Sequence, residues 1–165
     1  MLRRRALTTS ILSSALLAAC GFQLRGATQL PFSRIALVGF PPRSPLADEF
    51  RRTLSQSAEV VATPAQAQVV LHVMSDQRER SVVATTTASQ VRELTLRVRL
   101  TFRLTTPGGR ELIPATELLR TSDMSYNETV ALAKQYEEAN LVRSMQSDII
   151  GQVMQRLAEV KGLTG

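Results

Sequence analysis

The chain has 165 residues, a formal charge of +6 and a single cysteine, which suits one domain with a sizeable core and excludes a disulfide within the chain. Aromatic residues make up only 4% and no dense basic run occurs, so nucleic acid, which needs stacking platforms and a basic track, is not an expected partner. One histidine, one thiol and no G-x-S-x-G elbow, glycine-rich phosphate loop or metal-ligand cluster leave little for catalysis, so neither an enzyme nor a cofactor site is expected.

Arg3, Arg4 and Arg5 precede an apolar stretch, Ala6 to Leu17, diluted by serine and threonine. It is shorter than the roughly 20 apolar residues of a membrane span and has the basic, apolar, small-residue order of a secretory signal. The exit, Leu17-Ala18-Ala19-Cys20, matches the lipobox of bacterial lipoproteins, in which the cysteine takes a diacylglycerol, the chain is cut before it and the new amino group is acylated. The rival reading, a core cysteine ending a buried helix, leaves the register of basic residues, apolar run and lipobox to chance. The expected organisation is a signal peptide at 1–19, lipidation at Cys20, a tether at 20–32 and a single domain at 33–165. Gly21 in place of an aspartate after the cysteine points to outer-membrane sorting, with the chain lipid-anchored on the periplasmic side. Removing residues 1–19 leaves 146 residues and lowers the charge to +3, and of the remaining basic residues only Lys134 and Lys161 are not arginine. Arginine's planar fork of donors suits phosphate and carboxylate.

Along the domain, Arg34 to Val38 reads as a short buried strand ended by Gly39 and Pro41-Pro42. Ser44 is placed to cap a helix with Pro45 at its first position and Asp48 and Glu49 at the positive end of its dipole. Leu46, Phe50, Leu54 and Ala58 give that helix one apolar face over about 14 residues. Val60 and Val61 form a possible short edge, and Val69 to Met74 a strand continued raggedly by the polar SDQRERS. From Val91 to Thr105 the pattern alternates without a break: Leu94, Leu96, Val98, Leu100, Phe102 and Leu104 on one face, Arg97, Arg99 and Arg103 on the other. At about 3.3 Å per residue this strand approaches 50 Å. Thr106 to Gly109 reads as a type II turn, Leu112 to Arg120 as the returning strand, and Pro114 within it as the mark of an edge or a bulge. Ser125 and Glu128 fit a capping box, opening a helix of about 35 residues to Lys161. Its apolar steps run through Leu132, Tyr136, Ala139, Val142, Met145, Ile149, Val153, Leu157 and Val160. The expected fold is an α+β two-layer sandwich, two helices on one face of a mixed, roughly four-stranded sheet.

Candidate chemistry is sparse. His72 sits between Leu71 and Val73 and reads as a satisfied strand histidine rather than a general base. Glu137 and Glu138 are adjacent on a helix and diverge by about 100°, a solvated face rather than an acid–base pair. The Arg97, Arg99 and Arg103 row is open to three readings: charge for solubility on a water-facing strand, a cationic strip for a phosphate-bearing envelope ligand such as lipopolysaccharide, or a face against a partner's acidic wall.

Two blocks carry a resemblance. LAACGFQLRG, with Cys20, Gly21, Phe22, Leu24 and Arg25, and ALAKQYEEANLVRSMQSDIIGQVMQRL, from Ala131 to Leu157, resemble the two ends of the LptE lipoprotein family of lipopolysaccharide assembly. The order of elements between them suits that family, although RERSVVATTTASQVREL gives no residue match. The resemblance implies a non-enzymatic protein that plugs the outer-membrane barrel LptD and helps deliver lipopolysaccharide to the outer leaflet. It also implies a lipopolysaccharide contact at the lysine of the A-L-A-K block, Lys134; Arg97, Arg99 and Arg103 are added to it from the strand pattern alone. An auxiliary lipoprotein of an envelope phospholipid-transport complex is the alternative, with the same anchor and similar architecture but different partners.

Overall fold

The computed structural model describes residues 28–85 and 91–162. Cys20, the signal peptide and most of the tether lie outside the described residues. The elements are β1 (Arg34–Val38), α1 (Pro45–Leu54), β2 (Glu59–Val61), β3 (Val69–Thr85), β4 (Val91–Thr105), β5 (Glu111–Ser125) and α2 (Ala131–Ala158). They form one mixed sheet in the order β2-β1-β3-β4-β5, with the helices packed against it. The expected α+β architecture is therefore present, with the short Val60–Val61 edge making a fifth strand.

β1, α1 and β2 form a parallel crossover, and β1 also pairs parallel with β3. β3, β4 and β5 form an antiparallel meander. Alternation along β4 sets the layers. Leu94, Leu96, Val98, Leu100, Phe102 and Leu104 are all at most 2% exposed and join Leu46, Phe50, Leu54, Ile149, Val153 and Leu157 in one core. The opposite face of the sheet carries neither α1 nor α2, only a small cluster of Ala36, Ala67 and Val70 beside the 3₁₀ turn Pro64–Gln66, and the arginine row of β4 lies on that face.

The start of α1 follows its sequence. Ser44 Oγ accepts from the Ala47 amide at 3.1 Å, Pro45 opens the helix and Asp48 sits in the first turn, paired with Arg51. The helix is shorter than expected, ending at Leu54, and Ala58 is buried from the following turn.

β3 is much longer than its apolar stretch, running seventeen residues. Its second half is held by pairing with β4, from Ser75↔Thr101 to Thr85↔Val91, after a bulge between Val73 and Ser75. Gly39 adopts a φ of +88° where β1 leaves the sheet, and a Cβ there would stand 2.1 Å from the Val73 carbonyl oxygen. Glycine is therefore required at that point both by backbone conformation and by space.

Three local expectations are corrected. The left-handed φ of the β4–β5 turn falls at Gly109 (+88°), not Gly108, and the Gly109 amide donates to the Thr106 carbonyl at 3.0 Å. That is the pattern of a type I turn closed by a glycine bulge. No capping box forms at Ser125, because pairing with Glu93 keeps Ser125 in β5. Asn127 caps instead, its Oδ1 accepting from the Thr129 amide at 3.0 Å across a short 3₁₀ turn. The final helix has 28 residues rather than about 35, about 42 Å at 1.5 Å per residue.

The apolar face expected along α2 is buried only in its second half. Leu132 and Tyr136 are 67% and 68% exposed, whereas Ile150 and Met154, which stand five turns further on at the same angular positions, are buried. The difference lies in α1. Its cap is level with Asp76, to which Ser44 Oγ donates at 2.6 Å, and from there it runs back beside the second half of α2. The first half of α2 extends past the end of α1 and over the outer half of β3.

Candidate functional site

The residues singled out from the sequence fall in two places. Lys134 stands in the first turn of α2, where its ammonium donates to Ser125 Oγ at 3.2 Å and to Glu137 Oε2 at 2.8 Å. An i,i+3 pair of this kind is worth only about 0.3–0.5 kcal/mol, so an incoming anion can compete for the ammonium.

Arg97, Arg99 and Arg103 share the uncovered face of β4. Arg99 donates to Glu117 Oε2 on β5 at 3.3 Å, and its Nε is buried without a partner. Arg97 and Arg103 have no carboxylate within 4.0 Å among the described residues. On the same face Thr95 donates to Asp123, and Thr95 and Thr105 are buried, Thr105 beside Val70 of the small second cluster. The closest approach of the two groups runs along β5: Arg97 pairs with Thr121, four residues before Ser125, or roughly 13 Å. Lys134 and the row therefore do not form one compact cluster. They are two cationic features, one at the end of the sheet and one on its open face.

His72 accords with the bland reading of its sequence context. Its Nε2 lies 3.1 Å from Thr105 Oγ1. Desolvation, and then the nearby Arg103 guanidinium, hold its pKa below the usual histidine value, so the neutral ring is favoured. Among the described residues there is no cluster of acidic, histidine or cysteine side chains suited to a metal ion, and no helix long and apolar enough to cross a membrane.

A third feature escaped the sequence reading. Arg78 pairs with Val98 and Arg80 with Leu96, so both point to the helix side of the sheet, beyond the end of α1. With Arg143 and Gln146 of α2 they line a cleft of about 630 Å³, which Pro45 and Tyr126 help to close. Arg80 forms an ion pair with Glu138, its Nε 3.3 Å from Oε2, and lies over the Tyr126 ring, 5.8 Å from its centroid. Period two in the sequence points away from them: counted from Leu71 and Val73 it reaches Ser75, Gln77 and Glu79, and only the bulge after Val73 turns Asp76, Arg78 and Arg80 to the core side.

Comparison with known proteins gives a consistent set. The profile of the family described as "LptE: Lipopolysaccharide-assembly" matches residues 32–157. Among solved structures, an uncharacterized lipoprotein B from Nitrosomonas europaea is similar with 26% identity and a TM-score of 0.71, over 84% of this chain and 90% of that one. Rare lipoprotein B from Shewanella oneidensis shares 23% identity with a TM-score of 0.61, over 76% and 94% of the two chains. A minor lipoprotein from Acinetobacter baumannii shares the fold at 16% identity, with a TM-score of 0.61 over 78% and 92%. No curated protein sequence matches significantly.

Proposed function

This chain belongs to the LptE family of lipopolysaccharide assembly, and from that premise we propose that it is the plug of the outer-membrane barrel LptD. In this reading the protein is held to the periplasmic side of the outer membrane by lipid at Cys20, supports assembly of the barrel, and helps deliver lipopolysaccharide to the outer leaflet. The observation that carries the reading is the family match across residues 32–157, almost the whole described domain.

Physical features support it. The interior of a wide barrel is polar, and β4 and β5 offer an uncovered sheet face whose arginine and threonine side chains are compatible with a wet lumen wall. Strands of fifteen and seventeen residues give the domain a length of about 50 Å, enough to fill such a lumen over much of its height. A lipid anchor in the same membrane raises the effective concentration of the plug near the barrel.

In this account Lys134, Arg97, Arg99 and Arg103 contact the phosphates of lipopolysaccharide, where charge-assisted bonds are stronger than neutral ones. Lys134 is the first of these, since the resemblance of the A-L-A-K block implies a ligand contact for its lysine; the three arginines extend the cationic surface along the open face.

The test is to extract the native protein in mild detergent, isolate it, and identify what accompanies it. One large heat-modifiable β-barrel in near-equal amount is expected. Recovery with the subunits of a phospholipid-transport complex, and without such a barrel, would overturn the reading.

A further inference from the structure

We propose that the cleft between α2 and the outer half of β3 is a binding site for a phosphomonoester carried on a sugar, separate from Lys134 and the arginine row. Three observations converge on it. Arg78, Arg80 and Arg143 line the cleft against one carboxylate, Glu138, which Arg80 already engages. Neither Arg78 nor Arg143 has a carboxylate within 4.0 Å among the described residues. With Asp76 two residues before Arg78 on the same face, the local charge is about one positive unit in excess, the sign that an anionic phosphomonoester requires.

The second observation is Gln146. Its side chain lines the same cleft and the residue is 2% exposed, yet its Nε2 has no hydrogen-bond partner. A buried amide donor left unsatisfied costs stability, so its retention there calls for an acceptor from outside the chain. The groups of this cleft still short of an anionic acceptor are donors: the Arg78 guanidinium, the Gln146 amide N–H, and the Arg143 guanidinium, which bonds only to the neutral oxygens of Ala139 and Asn140. They ask for a ligand rich in acceptor oxygens, which a phosphate is and a cation or an amine is not.

The third is size and lining. About 630 Å³ is far more than a phosphate group fills and lies within the range of small-molecule sites. Val142, Ala139 and Pro45 add apolar wall beside the Tyr126 ring, suited to the C–H face of a pyranose. Arg80 is held over that ring and against Glu138, so it acts as a preset donor, while Arg78 and Arg143 supply the charge that the ligand neutralises. The cleft lies beyond the N-terminal end of α1: past Pro45, Arg78 and Arg80 lie on the core side of the sheet with no part of α1 above them.

The chemistry stands on the cleft alone. Its physiological source rests on the lipopolysaccharide-assembly reading, which offers a lipid-borne phosphosugar; a free phosphosugar has the same head chemistry. The experiment separates these sources. The purified full-length chain in nonionic micelles is titrated by calorimetry with glucosamine 1-phosphate, glucosamine, a glutamate-rich peptide and lipid A. The wild type is expected to bind glucosamine 1-phosphate at least tenfold more tightly than glucosamine or the peptide. The double variant Arg78→Gln/Arg143→Gln is expected to lose that binding by tenfold or more, and Gln146→Leu by severalfold, while Arg52→Gln, in the last turn of α1, leaves it unchanged. Matching thermal unfolding curves for each variant separate lost contacts from lost fold.

Lipid A binding that weakens in the double variant assigns the site to a lipid-borne sugar, and unchanged lipid A binding alongside lost glucosamine 1-phosphate binding assigns it to a free one. Unchanged glucosamine 1-phosphate binding in the folded double variant overturns the proposal. So does equal binding of glucosamine, or tighter binding of the acidic peptide. No barrel takes part in the measurement, so its failure is distinct from a failure of the plug reading.

Discussion

Replacing Gly39 by alanine is expected to be among the most damaging single-methyl changes in the domain. Its φ of +88° lies where an L side chain is strained, a cost of about 1–2 kcal/mol. The new Cβ would also stand 2.1 Å from the Val73 carbonyl oxygen, 3.1 Å from its carbon and 3.3 Å from its nitrogen. These are backbone atoms of a strand paired on both sides, beside the β3 bulge, so they cannot rotate away as a side chain would. Forced overpacking of this kind adds about 1–3 kcal/mol, for a total of about 2–5 kcal/mol against the 5–15 kcal/mol of a whole domain. With a urea slope of about 2 kcal/mol per molar, the unfolding midpoint of Gly39→Ala should fall by about 1–2.5 M, read by circular dichroism on the folded full chain. Gly108→Ala is the control, since its φ is not in the left-handed region and its nearest neighbour would be Thr106 Oγ1 at 3.9 Å. A Gly39→Ala midpoint no lower than that of Gly108→Ala would refute the argument.

Four further outcomes follow from the same geometry. Ser44→Ala removes both the cap on the Ala47 amide and the bond to Asp76, and should lower stability by about 1–2 kcal/mol in the same urea assay. Phe102→Ala empties a fully buried site in the middle of β4 and should cost about 3–5 kcal/mol, with the melting temperature as readout. His72 is held neutral in the folded state, its pKa lowered from 6.5 chiefly by desolvation and then by Arg103. The unfolded chain therefore takes up its proton first, and the histidine's contribution is complete above pH 6.5 and declines as the pH falls through 6.5 toward the lowered value. His72→Gln should flatten that part of a stability–pH curve, and an unchanged slope would contradict the assignment. Reversing charge at Lys134 and Arg99 together (Lys134→Glu/Arg99→Glu) should weaken lipopolysaccharide binding by tenfold or more in a direct binding assay; unchanged affinity would remove both residues from the ligand surface.

Features that rest on local chemistry were legible in the sequence. β4 declares itself because one face is wholly buried and the other is not, and α1 because Ser44, Pro45 and Asp48 supply cap, first turn and dipole partner within five residues. The outer half of β3 was obscure for the opposite reason: both its faces are polar or exposed, so only hydrogen bonding to β4 makes it a strand, and pairing leaves no hydrophobic period to read. Ser125 looked like a cap until pairing with Glu93 claimed it for β5. The same override separates Leu132 from Ile150: the two have equivalent places on α2, and only the extent of a distant helix decides which is covered. Lys134 and the arginine row could be named from the sequence, but not that they stand apart. The Arg78–Arg143 cleft joins residues 65 positions apart, and nothing local announces it.

The plug reading is tested most directly where the sheet would face the barrel wall. A photo-crosslinking amino acid placed at Leu119, which is 40% exposed beside Arg99 on the uncovered face, can be activated in living cells. A dominant adduct with one outer-membrane β-barrel protein is expected, lost when that barrel is depleted. Adducts confined to periplasmic or inner-membrane-linked transport subunits would contradict the plug reading.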